Sequence, residues 1–270
     1  MGGEGKDPIE GLTPAVFFDL DGTWLRWQLF DEWIKEMIRL DLFPEVVYAL
    51  TRESRQAYLN REGKFSDWVW KQVEAYTPFM RGVRVSDAKF AAHEVIREKG
   101  RRVHVFVRCL SQAAKETGMR RAIISGSPSV AVEAFAEANG INIFLGTEHE
   151  DREGVYTGST TKEWARDKSE AVSRLAGRYG INLDCSVAVG DSYSDRLMLE
   201  LVRYPICFNP EKKLRDLALE RGWLIVVEKK DCFHIYRLCG DGQIRFVHLG
   251  DYLPWELARV LEAKLAGTDF

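Results

Sequence analysis

At 270 residues with 46% hydrophobic content, the chain can bury a full core and fits one large domain or two unequal ones. Its net charge of −3 and pI near 6.0 exclude a global electrostatic pull toward nucleic acid or anionic lipid. Five cysteines (Cys109, Cys185, Cys207, Cys232, Cys239) are dispersed, with neither a C-x-x-C pair nor a zinc spacing, so reduced thiols are expected.

The start, Met1 to Glu10, is polar and glycine-rich and lacks the apolar stretch of a signal peptide. No run approaches the roughly 20 apolar residues of a membrane span. The reading is therefore a soluble, cytoplasmic protein with no membrane span and no nucleic-acid partner. Ala15 to Phe18 then form a short apolar run ended by Asp19, the pattern of a strand buried on both faces of a parallel sheet. From about Arg26 to Arg101 there is no strand signal, and helical periodicity is seen around Leu29 to Leu40, Phe65 to Tyr76 and Ala88 to Glu98. This stretch reads as an inserted all-helical domain, residues 26–101.

A helix over Val105 to Thr117 leads to a second buried run at Arg121 to Ser125, followed by a helix over Ser129 to Asn139. Another helix, Lys168 to Tyr179, leads to a third run at Ser186 to Gly190. Runs at Tyr204 to Phe208 and Leu224 to Val227, with a helix over Leu214 to Arg221 between them, extend the pattern. The alternation predicts an α/β fold, a parallel sheet core comprising 11–25 and 102–231, whose site lies at the carboxyl ends of the strands. The tail, 232–270, carries a hairpin signal around Gly240-Asp241-Gly242 and an amphipathic helix over Pro254 to Leu265. That helix needs a partner surface, either in a homodimer or on its own core.

Asp19-Leu20-Asp21-Gly22-Thr23 directly follows the first buried strand, so two acids one residue apart lie at its end. One can attack while the other handles protons. The segment resembles the first motif of the haloacid-dehalogenase (HAD) superfamily of phosphatases. Ile124 to Pro128 resembles the second motif, Lys168 the third, and Gly190 to Asp195 the fourth, in order and at strand ends. The Ser-Gly-Ser-Pro form, the helical insertion and the segments Pro205 to Pro210 and Arg221-Gly222-Trp223 resemble the phosphoserine-phosphatase-like branch. The resemblance spans Pro14 to Asp231 and implies a Rossmann-like core with a helical C1-type cap.

The resemblance further implies a Mg²⁺-dependent phosphomonoester hydrolase working through an aspartyl-phosphate. Asp19 would be the nucleophile and Asp21 the general acid and base. Asp19, Asp191 and the Asp21 carbonyl would hold Mg²⁺, with Asp195 and Ser194 behind them. Ser125, Gly126, Gly22, Thr23 and Lys168 would bind the phosphate. Lys162 competes for the third motif, but Lys168 opens a helical pattern through Ala171, Val172 and Leu175.

Gln28 stands where phosphoserine phosphatases carry an acidic residue for the substrate's amino group, and Ser194 where they usually carry asparagine. A neutral amide makes no ion pair, so the expected substrate is a small phosphorylated metabolite, not specifically phosphoserine. Trp24, Trp27, Trp33, Trp68 and Trp70 cluster at the first-motif exit and in the insertion. They read as core filling for a small cap, with Trp24 kept as a candidate pocket wall. The five histidines have no clustered spacing and receive no role. Two alternatives stay open: a lipid-phosphate phosphatase or phosphotransferase on the same core, and a non-catalytic protein that binds a phosphorylated ligand.

Overall fold

The computed structural model describes residues 11–63, 65–230 and 232–268, with residues 65–67 through their backbone alone. Met1 to Glu10, the Asp231 boundary and the last two residues of the tail, on which expectations also fall, lie outside the described residues. In chain order the elements are β1 (Ala15–Phe18), α1 (Leu29–Arg39), α2 (Val46–Ala49), α3 (Arg52–Leu59), α4 (Phe65–Tyr76), α5 (Val85–Lys99), α6 (Val105–Glu116) and β2 (Arg120–Pro128). There follow α7 (Ser129–Ala138), β3 (Ile143–Arg152), β4 (Val155–Lys162), α8 (Lys168–Tyr179), β5 (Val187–Gly190), α9 (Arg196–Leu199) and β6 (Tyr204–Phe208). Last come α10 (Lys212–Arg221), β7 (Leu224–Lys229), β8 (Cys232–Leu238), β9 (Ile244–Phe246) and α11 (Trp255–Ala266).

The strands form one sheet in the order β4-β3-β2-β1-β5-β6-β7-β8-β9. The run from β3 to β7 is parallel, and β4, β8 and β9 add antiparallel edges. Successive side chains of a strand point to opposite faces. Accordingly Val16 and Phe18 join a cluster with α6, α7 and α11, while Ala15 and Phe17 join one with α8, α9 and α10. Two apolar layers sandwich the sheet, which is why its central strands read as unbroken hydrophobic runs. From β1 the chain builds outward through β2 and β3, then returns to β5 and builds the other way. The crevice at β1 and β5 is thus the topological switch point, where an open α/β sheet places its ligand.

Every described element between β1 and α6 is helical, as the periodicity predicts. Trp33, Ile34 and Met37 of α1 and Ala88, Ala91 and Ala92 of α5 belong to the same buried cluster as Phe18 and Leu110. The Trp33 indole donates to Ala88 O at 3.1 Å, which ties α1 to α5. The two connecting strands of chain run side by side: His104 N donates to Trp24 O at 2.9 Å and Arg26 N to Arg102 O at 3.2 Å.

The structure adds elements beyond the sequence reading. β3 leaves the sheet and turns back as β4, reversing at Glu153 and Gly154, both with positive φ. This ribbon bonds to the helical region: Gly82 N to Tyr156 O at 2.9 Å, Tyr156 N to Val83 O at 2.9 Å and Val85 N to Gly154 O at 2.8 Å. The tail forms the expected hairpin, β8 and β9, and α11 buries Leu257, Ala258 and Leu261 in the cluster shared with α6. No described helix is long and apolar enough to cross a membrane.

Candidate active site

β1 ends at Phe18, and Asp19 N continues its pairing by donating to Val189 O of β5 at 3.0 Å. The chain then coils tightly, with Thr23, Trp24 and Leu25 N–H groups all directed at Leu20 O. Gly22 sits in this coil at φ +89°, and a Cβ there would run into Asp191 Oδ2. Only a glycine lets the loop after β1 and the loop after β5 approach so closely. Thr23 Oγ1 donates to Asp191 Oδ1 at 3.1 Å and joins the same two loops.

Lys168 opens α8, whose N-terminus is capped by the Asp167 side chain accepting from Ser169 and Glu170 N–H groups. Its ammonium is buried and donates to Asp19 Oδ1 at 2.7 Å and to Asp195 Oδ1 at 2.5 Å. The other Asp195 oxygen accepts from Asp191 N at 3.1 Å, Ser192 N at 2.9 Å and Ser192 Oγ at 2.9 Å. Both Asp195 oxygens are therefore occupied, so this residue orients the lysine and the Asp191 loop. Lys162, the rival for the lysine position, pairs instead with Glu170 at 2.5 Å.

Asp21 lies across the crevice. Its Oδ1 accepts from Leu29 N at 2.5 Å, at the start of α1, and its Oδ2 from Ser127 Oγ at 2.7 Å and Ser125 Oγ at 3.2 Å. Ser125 Oγ also accepts from Ser127 N at 3.1 Å. Ser127 had no role in the sequence reading. Its signal was the two-residue spacing from Ser125, which returns a side chain to the same face of an extended segment. Gly126 O accepts from Thr147 Oγ1 at 2.7 Å, which fixes this loop to β3.

The remaining expected residues lie at the border. Ser194 is exposed and shares a 2.7 Å hydrogen bond with Ser192. Gln28 precedes α1, and its Oε1 is buried without a partner. Trp24 is 1% exposed, packed between Phe18 and Phe135 at ring separations of 4.6 and 5.3 Å, and its indole nitrogen has no partner. Trp33 and Trp68 are buried, as core filling predicts, while Trp70 lies 4.3 Å under the Arg166 guanidinium.

Carboxylate oxygens of Asp19, Asp191 and Asp195 lie within 4.8 Å of one another. Burial, opposed by Lys168 and reinforced by Asp195 and Asp21, pushes Asp19 up to about 7. Burial and the facing Asp19 and Asp195 charges push Asp191 well above the ordinary carboxylate range. Asp21 is also raised by burial, against its four hydrogen-bond and charge partners. Burial works against the Lys168 charge, yet Asp19 and Asp195 raise its pKa overall. Four acids thus face a single lysine. Asp19 Oδ2 is buried and has no hydrogen-bond partner, a costly state unless something positive meets it. An all-oxygen donor set around this orphaned atom fits a hard divalent cation.

A profile of haloacid dehalogenase-like hydrolases matches residues 16–200. The chain is 30% identical over 225 residues to a putative hydrolase of Mycobacterium leprae, covering 82% of this chain and 74% of that protein. It is likewise 30% identical over 228 residues to the phosphoserine phosphatase SerB1 of Mycobacterium tuberculosis, covering 83% and 73%. Among solved structures, a Bordetella pertussis protein of unknown function superposes with a TM-score of 0.64 at 23% identity, over 79% of this chain and 98% of that one. A phospho-aspartyl intermediate analogue of phosphoserine phosphatase gives 0.54 at 21%, over 81% and 95%. The two structures share the fold, and the profile and sequence matches carry the lineage: the chain belongs to the haloacid dehalogenase-like hydrolases and is a phosphatase similar to the phosphoserine phosphatases.

Proposed function

We propose that the chain is a Mg²⁺-dependent phosphomonoester hydrolase that works through an aspartyl-phosphate on Asp19 and acts on a small phosphorylated metabolite. The observation that carries this reading is the Asp19 carboxylate, with Oδ1 held by Lys168 and Oδ2 buried and unpartnered beside Asp191. In the first step an Asp19 oxygen bonds to phosphorus as the ester P–O bond breaks, and Asp21 gives its proton to the leaving oxygen. In the second, Asp21 takes a proton from water, which attacks phosphorus and returns Asp19 as a free carboxylate. The raised pKa of Asp21 suits a group that must carry a proton at the outset.

Lys168, Ser125 and the Gly126 amide would hold the phosphate oxygens, and the Gly22 and Thr23 amides, bonded to Leu25 O and Leu20 O within their loop, would join them only by exchanging those bonds for the phosphate. Asp19, Asp191 and the Asp21 carbonyl would hold Mg²⁺, with Asp195 and Ser194 behind. When bound, the ion supplies positive charge against the clustered acids and the transferring phosphoryl group. The core, 11–25 with 102–231, would carry this chemistry and the helical cap, 26–101, would select the substrate, with Gln28 and Trp24 at its border. The tail, 232–270, would serve as an extension of the core. The seating of α11 on α6 favours that over a homodimer contact. Five free cysteines agree with a cytoplasmic setting.

Gln28, at the border of the cap with its Oε1 buried and unpartnered, supports a small polar substrate over a lipid phosphate. Gln28 Oε1, Gln72 Oε1, Tyr76 Oη and His149 Nε2 are buried without partners. Burial pushes His149 down to about 4 and keeps it neutral at physiological pH. An acyl chain against Gln28 would leave its amide oxygen unpaired, whereas a hydroxyl or amide group would satisfy it. Gln28, being neutral, agrees with a substrate other than phosphoserine.

The test is hydrolysis of para-nitrophenyl phosphate and a panel including phosphoserine, sugar phosphates and a lysophosphatidate, with Mg²⁺, with EDTA, and with Asp19→Asn. Metal-dependent turnover of polar phosphates that vanishes in the variant is expected. Turnover retained by Asp19→Asn would overturn the nucleophile assignment. Absence of turnover on every compound by folded, Mg²⁺-loaded protein would favour the phospho-ligand binding protein.

A further inference from the structure

At the end of the sheet where β6 and β7 begin, opposite the acid cluster, lies a cavity of about 530 Å³. This is within the range of small-molecule pockets. Arg203 precedes β6, Arg221 closes α10, and Arg237 lies on β8, all lining the same cavity. Antiparallel pairing of Ile225 with Tyr236 brings Arg237 level with the start of β7. Gly222 ends α10 at φ +65°, and Arg237 Nη2 lies 4.0 Å from where its Cβ would stand. The helix end therefore leaves room for the guanidinium.

Tyr252 forms one wall. Its hydroxyl donates to Pro205 O at 2.8 Å, and the Arg237 guanidinium lies 5.4 Å from its ring centre. Arg237 Nε is buried and has no hydrogen-bond partner. Among the described residues none of the three arginine side chains makes a hydrogen bond or ion pair. Glu200 is the single acid lining the cavity among the described residues. Three guanidinium groups without an acidic partner line one concavity in a chain of net charge −3, a local concentration of positive charge that favours an anion there. The planar fork of arginine matches phosphate and carboxylate oxygens two at a time.

We propose that this cavity binds a small polyanion carrying two or more phosphate or carboxylate groups, separately from the catalytic cluster. The five residues of β6 alone put roughly 15 Å between its two ends. The site is thus too far away to hold the reacting phosphate.

Calorimetric titration with pyrophosphate and with citrate, on protein freed of metal over a chelating resin and kept in a buffer without free chelator so that the bare acid cluster repels anions, tests the proposal. Wild-type protein and Asp19→Asn should bind equally at submillimolar concentration. Arg203→Gln and Arg221→Gln, both at exposed positions, should each weaken binding about tenfold or more while leaving para-nitrophenyl phosphate turnover unchanged. Preference for pyrophosphate would assign a phosphate ligand, and preference for citrate a carboxylate. Binding of neither anion at millimolar concentration, equal binding by the arginine variants, or loss of binding in Asp19→Asn would each overturn it.

Discussion

Asp19 Oδ1 is held by the Lys168 ammonium and Oδ2 faces no protein donor, so the two oxygens are not equivalent. Asp21, only two residues on, is held by Ser125, Ser127 and the first turn of α1. If Asp21 moves protons in both half-reactions, its loss should be felt unequally. A nitrophenolate leaves without help, whereas an alkoxide does not. Asp21→Asn should therefore give a burst of nitrophenol from para-nitrophenyl phosphate followed by slow turnover, and alkyl phosphates should slow by about 10²- to 10⁴-fold. Stopped-flow absorbance reads the burst. Equal slowing on both substrates with no burst would remove Asp21 from proton transfer. The acids, Ser125 and Lys168 were legible because each follows a buried run or opens a helical pattern. Ser127 carried a weaker signal, its two-residue spacing from Ser125, which marks a shared face only if the segment stays extended past the glycine.

Among the elements, α6 has an unusual start. Its N-cap residue, His104, gives no side-chain cap. Glu228, at the end of β7, accepts from Val105 N at 3.2 Å and Phe106 N at 3.0 Å and contacts His104 Nδ1 at 3.1 Å. Burial opposes the Glu228 charge, but His104 and the two amides lower its pKa overall. A folded-state pKa below the unfolded value contributes stability above the unfolded pKa, lost as pH falls through the folded one. Glu228→Gln should therefore cost about 1–3 kcal/mol at neutral pH, with the difference from wild type closing below about pH 4. Urea titrations at several pH values measure it, and a pH-independent difference would contradict the ionised cap. This cap was invisible in the sequence because its partners are more than a hundred positions apart. β3 and β4 escaped for another reason: beyond the short run Ile143 to Leu145 the ribbon turns polar and, from Glu148, half-exposed as it leaves the sheet, and only Glu153-Gly154 marks the reversal. α3 buries none of its residues and so shows no apolar stripe.

For the molecule as a whole, the acid cluster joins catalysis to stability. A carboxylate raised above its unfolded pKa contributes stability below the unfolded value and loses it as pH rises through the folded value. Asp191 is raised well above the ordinary range and Asp19 to about 7, so in metal-free protein these two groups should cost stability from about pH 4 upward. Asp191→Asn should raise the Tm of metal-free protein at neutral pH, leave it unchanged near pH 4, and abolish the Tm rise that Mg²⁺ gives wild type. An undiminished Mg²⁺ response would remove Asp191 as a ligand. The parallel core and helical insertion were legible because two apolar layers enclose the sheet and one cluster runs on into α1 and α5. The ribbon's hold on the helical region through residues 82–85 was not, since backbone hydrogen bonds between distant segments leave no side-chain pattern.

The most direct measurement is acid-quenched peptide mass spectrometry of Mg²⁺-loaded Asp21→Asn protein mixed with para-nitrophenyl phosphate. One phosphate is expected on the peptide containing Asp19, removed by hydroxylamine as an acyl phosphate is, and absent when Asp19 is also asparagine. Phosphate on another residue, or nitrophenol released with none trapped on Asp19, would contradict it.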